Sequence, residues 1–148
     1  MYTPFMSPPG SSNGWAKVEV LESLYSAWAV PRGNPTILTG DLNTPKAELT
    51  SGDVVTWAQR LDKEGRPVLM RSKKGGDASR WDAAERSVLL GLKKHGLQDA
   101  FRAAEGYGVE ERSWVSRRAG REFPRRFDHV FLSEELRPET ASYLQKVG

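Results

Sequence analysis

The chain has no cysteine among its 148 residues, which removes disulfide frameworks, thiolate metal sites and cysteine nucleophiles together. Histidine is almost as scarce. His95 and His129 are too few and too far apart for a histidine-rich metal cage. No apolar run approaches the roughly 20 residues that a membrane helix needs, and residues 1–10 hold no basic region followed by an apolar core. A soluble, cytoplasmic protein without membrane contact is expected. There is no G-x-S-x-G elbow, and residues 10–17 lack the Gly-Lys-Ser/Thr ending of a phosphate loop.

What is present suits a single globular domain: 38% hydrophobic residues, 14 glycines and 9 prolines. The net charge of +3 favours polyanionic partners only modestly. Its distribution says more. Six arginines, Arg112, Arg117, Arg118, Arg121, Arg125 and Arg126, fall within residues 112–126, interleaved with Trp114 and Phe123. Such a stretch suits a phosphate-rich ligand, and equally a solvated face that maintains solubility.

Residues 1–13, rich in proline and small polar residues, read as a loop. In residues 14–29, Trp15, Val18, Leu21, Leu24, Tyr25 and Trp28 recur at three- and four-residue spacing with Lys17, Glu19, Glu22 and Ser23 between them, which predicts an amphipathic helix. Residues 36–39 predict a buried strand that stops at Gly40-Asp41. Residues 44–76 show no sustained period and read as a long loop. Ser79 opens a capping-box-like start to a second helix, with Lys93, Lys94 and His95 in its last turn and Gly96 at its C-cap. Residues 112–116 and 127–133 are expected to pair as an antiparallel hairpin around Gly120, and residues 141–147 to form a last strand. Helices mixed with strands imply layered α+β architecture.

Two segments carry candidate chemistry. Asp41 and Asn43 follow a buried strand, and at i and i+2 of extended chain they would face one side. A carboxylate there can orient a water or hold a hard cation, and an amide can donate to a phosphoryl oxygen. Asp128 lies in an apolar run, where burying an unpaired acid is costly, so a dedicated partner is expected. His129 next to it points to the opposite face and reads as an ordinary strand-surface histidine.

Residues 37–43 (Ile-Leu-Thr-Gly-Asp-Leu-Asn), 97–101 (Leu-Gln-Asp-Ala-Phe), Ser113-Trp114 and 126–133 (Arg-Phe-Asp-His-Val-Phe-Leu-Ser) resemble, in order, the second-half motifs of the endonuclease/exonuclease/phosphatase superfamily, the exonuclease III and DNase I type. The resemblance spans nearly the whole chain. It implies a four-layer αββα sandwich and a phosphodiesterase using Mg2+ or Mn2+, with DNA as the expected substrate and partner. Asp41 would activate the attacking water and ligate the metal, Asn43 would position that water or the scissile phosphate, and Asp128 would orient a catalytic histidine. Trp114 and Arg126 would line the phosphate groove, and Asn13 would stand in for the asparagine of the family's repair enzymes. The family's early asparagine, its metal-ligating glutamate and its terminal Ser-Asp-His have no counterpart here. Residues 1–148 therefore read as a partial domain, inactive alone and prone to self-association through an exposed sheet face carrying Ile37, Leu38, Val130 and Leu132. The alternatives are a phosphatase or phosphodiesterase of the same superfamily on a non-nucleic-acid phosphoester, and a non-catalytic nucleic-acid-binding domain.

Overall fold

A computed structural model describes residues 14–30 and 33–144. In chain order its elements are α1 (Gly14–Trp28), β1 (Ile37–Asp41), β2 (Ala47–Glu48), β3 (Val54–Val55), β4 (Gln59–Leu61), β5 (Pro67–Leu69), α2 (Ala78–Leu89), a 3-10 turn (Gly91–His95), β6 (Leu97–Asp99), α3 (Ala100–Glu105), β7 (Trp114–Arg118), β8 (Arg121–Arg125) and β9 (Asp128–Ser133). The architecture is mixed α and β with small antiparallel sheets. Among the described residues no helix is long and apolar enough to cross a membrane.

The main sheet has the order β1-β9-β6, with β9 antiparallel to both neighbours. Leu38 opposes Phe131 and Gly40 opposes His129, while Asp99 opposes Phe131 from the other side. Opposed residues share a face, so Leu38, His129, Phe131, Leu97 and Asp99 point one way, and Ile37, Thr39, Asp41, Asp128, Val130 and Leu132 point the other. The first face is covered. Leu38, Leu97 and Phe131 pack with Val18, Leu21, Leu24 and Trp28 of α1 and Trp81, Ala84 and Val88 of α2 in one core. Each large apolar side chain buried in this way contributes about 1.5–3 kcal/mol.

The second face is partly open. Ile37 is 52% exposed and Val130 40%, whereas Leu132 is buried. The expectation of a fully bare face is thereby corrected: Leu38 belongs to the helix-covered side, and only alternate apolar positions are uncovered.

α1 has the expected extent, but Lys17 is buried rather than solvated. Lys17, Leu21, Leu24 and Trp28 lie at four-, three- and four-residue spacing, so the lysine shares the core stripe. α2 begins earlier than expected: Asp77 is its N-cap, accepting from the Ser79 amide and hydroxyl. Gly76, just before it, has no room for a side chain, because an added Cβ would lie 2.0 Å from a Trp15 ring carbon. Trp15 is held there edge-on to Trp81, with ring centroids 5.3 Å apart.

Three further expectations are corrected. Residues 44–76 contain two small antiparallel ladders, β2–β3 and β4–β5. The hairpin partner of β7 is β8, which frees β9 to be the central strand. Residues 141–144 form no strand. The expected loop 1–13, including Asn13, and residues 145–147 lie outside the described residues.

Candidate active site at the β1–β9 rim

Asp41 ends β1 and Asp128 begins β9, and the two are paired in register on the open face. Both are exposed. Ser113 fixes the start of β9, its hydroxyl oxygen accepting from the amides of Phe127 (2.9 Å) and Asp128 (3.0 Å). The Tyr143 hydroxyl donates to the Asp128 carbonyl. Among the described residues neither Asp41 nor Asp128 forms an ion pair, so the dedicated partner expected for a buried Asp128 is not needed. Partial enclosure of the Asp41 carboxyl raises it above the usual carboxylate range, the Asn43 amide pulls it down, and the charge of Asp128 pushes it up further.

Asn43 does not continue the strand. Its φ is 49°, and its amide donates to Asp41 Oδ1 at 2.8 Å, an Asx turn. The extended i, i+2 arrangement is thus replaced by a turn that wraps back on the carboxylate and fixes one of its oxygens.

That turn is gripped from inside. The Asn43 carbonyl accepts from Lys17 Nζ (3.0 Å) and Trp57 Nε1 (2.9 Å). The Thr44 carbonyl accepts from His129 Nε2 at 2.9 Å, and the Leu42 amide donates to the Phe127 carbonyl at 2.8 Å. Lys17 is held in turn by Glu85, 2.7 Å away with both side chains fully buried. Burial lowers the Lys17 ammonium while Glu85 raises it. Glu85 also accepts from Trp81 Nε1 and from the Trp57 amide. A buried ion pair persists when its remaining hydrogen-bonding capacity is filled in this way.

Behind the rim lies a second buried network. Arg126 reaches Glu48 through Nη2 (2.6 Å) and Nε (2.9 Å), and Asp99 through Nη2 (2.8 Å) and Nη1 (3.1 Å). Arg102 donates to the same Glu48. Asp99 closes the network on His129 Nδ1, 3.1 Å away. Burial pushes the Asp99 carboxyl up, but the His129 hydrogen bond and the Arg126 charge outweigh it and hold Asp99 far below the usual range. Glu48 is likewise lowered by its two arginines against the effect of burial.

Two readings change here. His129 is a buried link between Asp99 and Thr44, not a surface residue. Arg126 is buried and its guanidinium is committed to two carboxylates, so it braces the site from behind. Trp114 is 58% exposed on the outer hairpin, opposite Arg125.

Lys17, Trp57 and Glu85 are the residues that sequence reasoning missed. For a divalent cation, Asp41 offers hard oxygen ligands, a chemistry suited to Mg2+ or Mn2+, with Asp128 beside it in register on the same face. Among the described residues no group of three or more metal-ligating side chains converges. No family model matches the chain, and no curated protein or solved structure matches it.

Proposed function

We propose that the chain is part of a metal-dependent phosphodiesterase of the endonuclease/exonuclease/phosphatase type, acting on DNA by attack of water on a phosphodiester. The observation that carries this reading is the Asp41–Asp128 pair. Like charges directly opposed in a sheet destabilise it, so a paired placement at an open rim, one oxygen pinned by the Asn43 amide, has its use in gathering a cation and a phosphate. The motif resemblance supplies the rest of the reading, and the open face bearing Ile37 and Val130 suits packing of a second sheet in a four-layer sandwich.

Asp41 would hold the cation and orient the attacking water through its second oxygen. Asn43, whose backbone is fixed by Lys17 and Trp57, would donate from its side-chain amide to the phosphate as charge develops. Asp128 would orient a histidine from outside the matched motifs, the group that delivers a proton to the departing oxygen. A bound Mg2+ or Mn2+ supplies neutralisation of charge on the phosphoryl oxygens.

The test is a cleavage assay on abasic-site and plain duplex DNA, with and without Mg2+, comparing this chain with the same chain carrying its native flanking sequence. Mg2+-dependent cleavage by the longer protein, abolished by Asp41→Ala, is the expected result. No cleavage of either substrate by either protein removes the nuclease assignment.

A further inference from the structure

Several of the cations outside the buried networks gather around Trp57. Arg125 sits with its guanidinium carbon 5.0 Å from the Trp57 ring centroid and 5.6 Å from that of Phe123. Lys73 Nζ is 5.9 Å from the Trp57 ring. Lys46 Nζ is anchored on the Gln59 carbonyl at 3.0 Å. Burial and then the neighbouring Arg125 charge lower the Lys46 ammonium. Lys73 is lowered by burial and by Lys46, against the pull of Glu85. Burial and the Arg118 charge lower the Arg125 guanidinium. The four form a chain of mutually repelling neighbours, Arg118 to Arg125 to Lys46 to Lys73. Arg125 Nε is also buried without a hydrogen-bond partner among the described residues.

The hairpin extends this chain outward with its charges sorted by face. In register, Trp114 opposes Arg125, Ser116 opposes Phe123 and Arg118 opposes Arg121, so one face presents two aromatic rings and three arginines. The acid of the hairpin, Glu122, is on the other face, where it pairs with Arg117. Trp114 is 58% exposed and Phe123 38%. The cleft at the hairpin base, lined by Glu110, Glu111, Arg112 and Arg125, is mixed in sign; the face itself is not. Among the described residues Lys46, Lys73, Arg118, Arg121 and Arg125 take part in no ion pair, and neither do Arg60, Lys63, Arg71, Lys93, Lys94 and Arg137, so what sets the five apart is their position beside Trp57 and on one hairpin face.

Exposed aromatic rings alternating with unneutralised cations are the combination that holds an unpaired nucleic-acid strand: phosphates follow the charges and bases stack on the rings. An acidic protein would match the charge but leave the rings without flat partners. A small phosphoester would occupy only one end of the track. That inner end adjoins the candidate site, because the Trp57 indole which Arg125 and Lys73 approach also donates to the Asn43 carbonyl.

We propose that Lys46, Lys73 and Arg125 around Trp57, continued by Arg118, Arg121, Trp114 and Phe123, form a binding track for a single-stranded stretch of nucleic acid leading to the β1–β9 rim. This deepens the phosphodiesterase reading and rests on it for the direction of the strand, but binding is separable from cleavage.

Fluorescence anisotropy of a labelled oligothymidylate with the full chain in EDTA tests it. Five engaged cations predict that log K falls against log salt with a slope of about −3.5. K46Q/K73Q should flatten that slope by about 1.4. Trp114→Ala should weaken binding about tenfold and leave the slope unchanged. Arg117→Gln, on the opposite face, should bind as the parent does. Equal binding by the parent and K46Q/K73Q overturns the track, as does displacement of the oligonucleotide by polyglutamate at equal charge. Binding with these variant effects but no Mg2+-dependent cleavage, even by the chain carrying its native flanking sequence, supports the track and removes the phosphodiesterase reading. Cleavage with no variant effect on binding does the reverse.

Discussion

Asp41 and Asp128 face one another across β1 and β9, and Asp41 keeps one oxygen on the Asn43 amide at 2.8 Å. Asp41→Asn should therefore stabilise the fold while removing its use, raising stability by about 0.2–1 kcal/mol through relief of the opposed charges. The sign with pH follows from the raised carboxyl. Its folded value lies above 3.8, so the cost is present above that folded value, fades as pH falls and is gone below 3.8. Thermal melts of parent and variant should differ at neutral pH and converge in acid. Mg2+ should raise the melting temperature of the parent only.

Lys17 and Glu85 make the opposite kind of pair, fully buried and 2.7 Å apart. Lys17→Met leaves Glu85 charged and buried, at a cost of about 3–5 kcal/mol. Adding Glu85→Gln should recover part of that loss, since the amide oxygen still accepts from one of the two tryptophan groups that Glu85 serves. Urea unfolding of the single and double variants gives the comparison, and a double variant no more stable than Lys17→Met would contradict it.

Acid should act first on the network around Arg126. Glu48 and Asp99 are both lowered from ordinary values of 4.5 and 3.8. Their contribution is fully present above those values and is lost as pH falls toward the folded ones. Melting temperature should hold down to about pH 4.5 and then decline. Arg126→Met leaves Glu48 with the Arg102 side chain alone and Asp99 with that of His129 alone, two buried acids that have lost their shared cation, and should cost about 3–5 kcal/mol at neutral pH. In that variant the melting temperature should rise on mild acidification, because protonation relieves the excess buried negative charge.

The uncovered apolar positions of the sheet predict self-association. Ile37 and Val130 are neighbours on one face of β1 and β9, and β1 is also an edge of that sheet. Sedimentation of the parent should show concentration-dependent oligomers, and Ile37→Thr with Val130→Thr should shift the distribution to monomer. A monodisperse parent would contradict the expectation.

α1 and α2 were legible because their apolar positions recur over several turns, whereas α3, six residues long, is too short to show a period and was not read. β2 to β5 were not, since two- and three-residue strands are too short to set a period. β8 was hidden for another reason. Arg-Glu-Phe-Pro-Arg has no apolar alternation and includes Pro124, so it reads as turn although proline is tolerated on an outer strand. Phe127 to Ser133 then took its place as the partner of β7. Within the site, Asp41, Asn43 and Asp128 stood out by type and position. Arg125 and Arg126 are indistinguishable in sequence; the carboxylates that draw Arg126 inward, Glu48 and Asp99, come from elements 78 and 27 positions away. Lys17 was assigned to solvent by charge alone, though its spacing placed it on the buried stripe.

β9 joins β1 to β6, and the Thr36 amide meets the Ser133 hydroxyl across 97 positions. As the chain leaves the ribosome, β1 emerges long before the strand that completes it. α2, α3 and every strand from β2 to β8 are made while its backbone groups remain without their ladder, and Leu38 without Phe131. Such distant closure slows folding and prolongs the interval in which β1 can pair with a strand of another nascent chain. Synthesis at low temperature, or a circular permutant in which β7, β8 and β9 are made ahead of α1 and β1, should therefore raise the yield of folded protein more than any stabilisation of the helices.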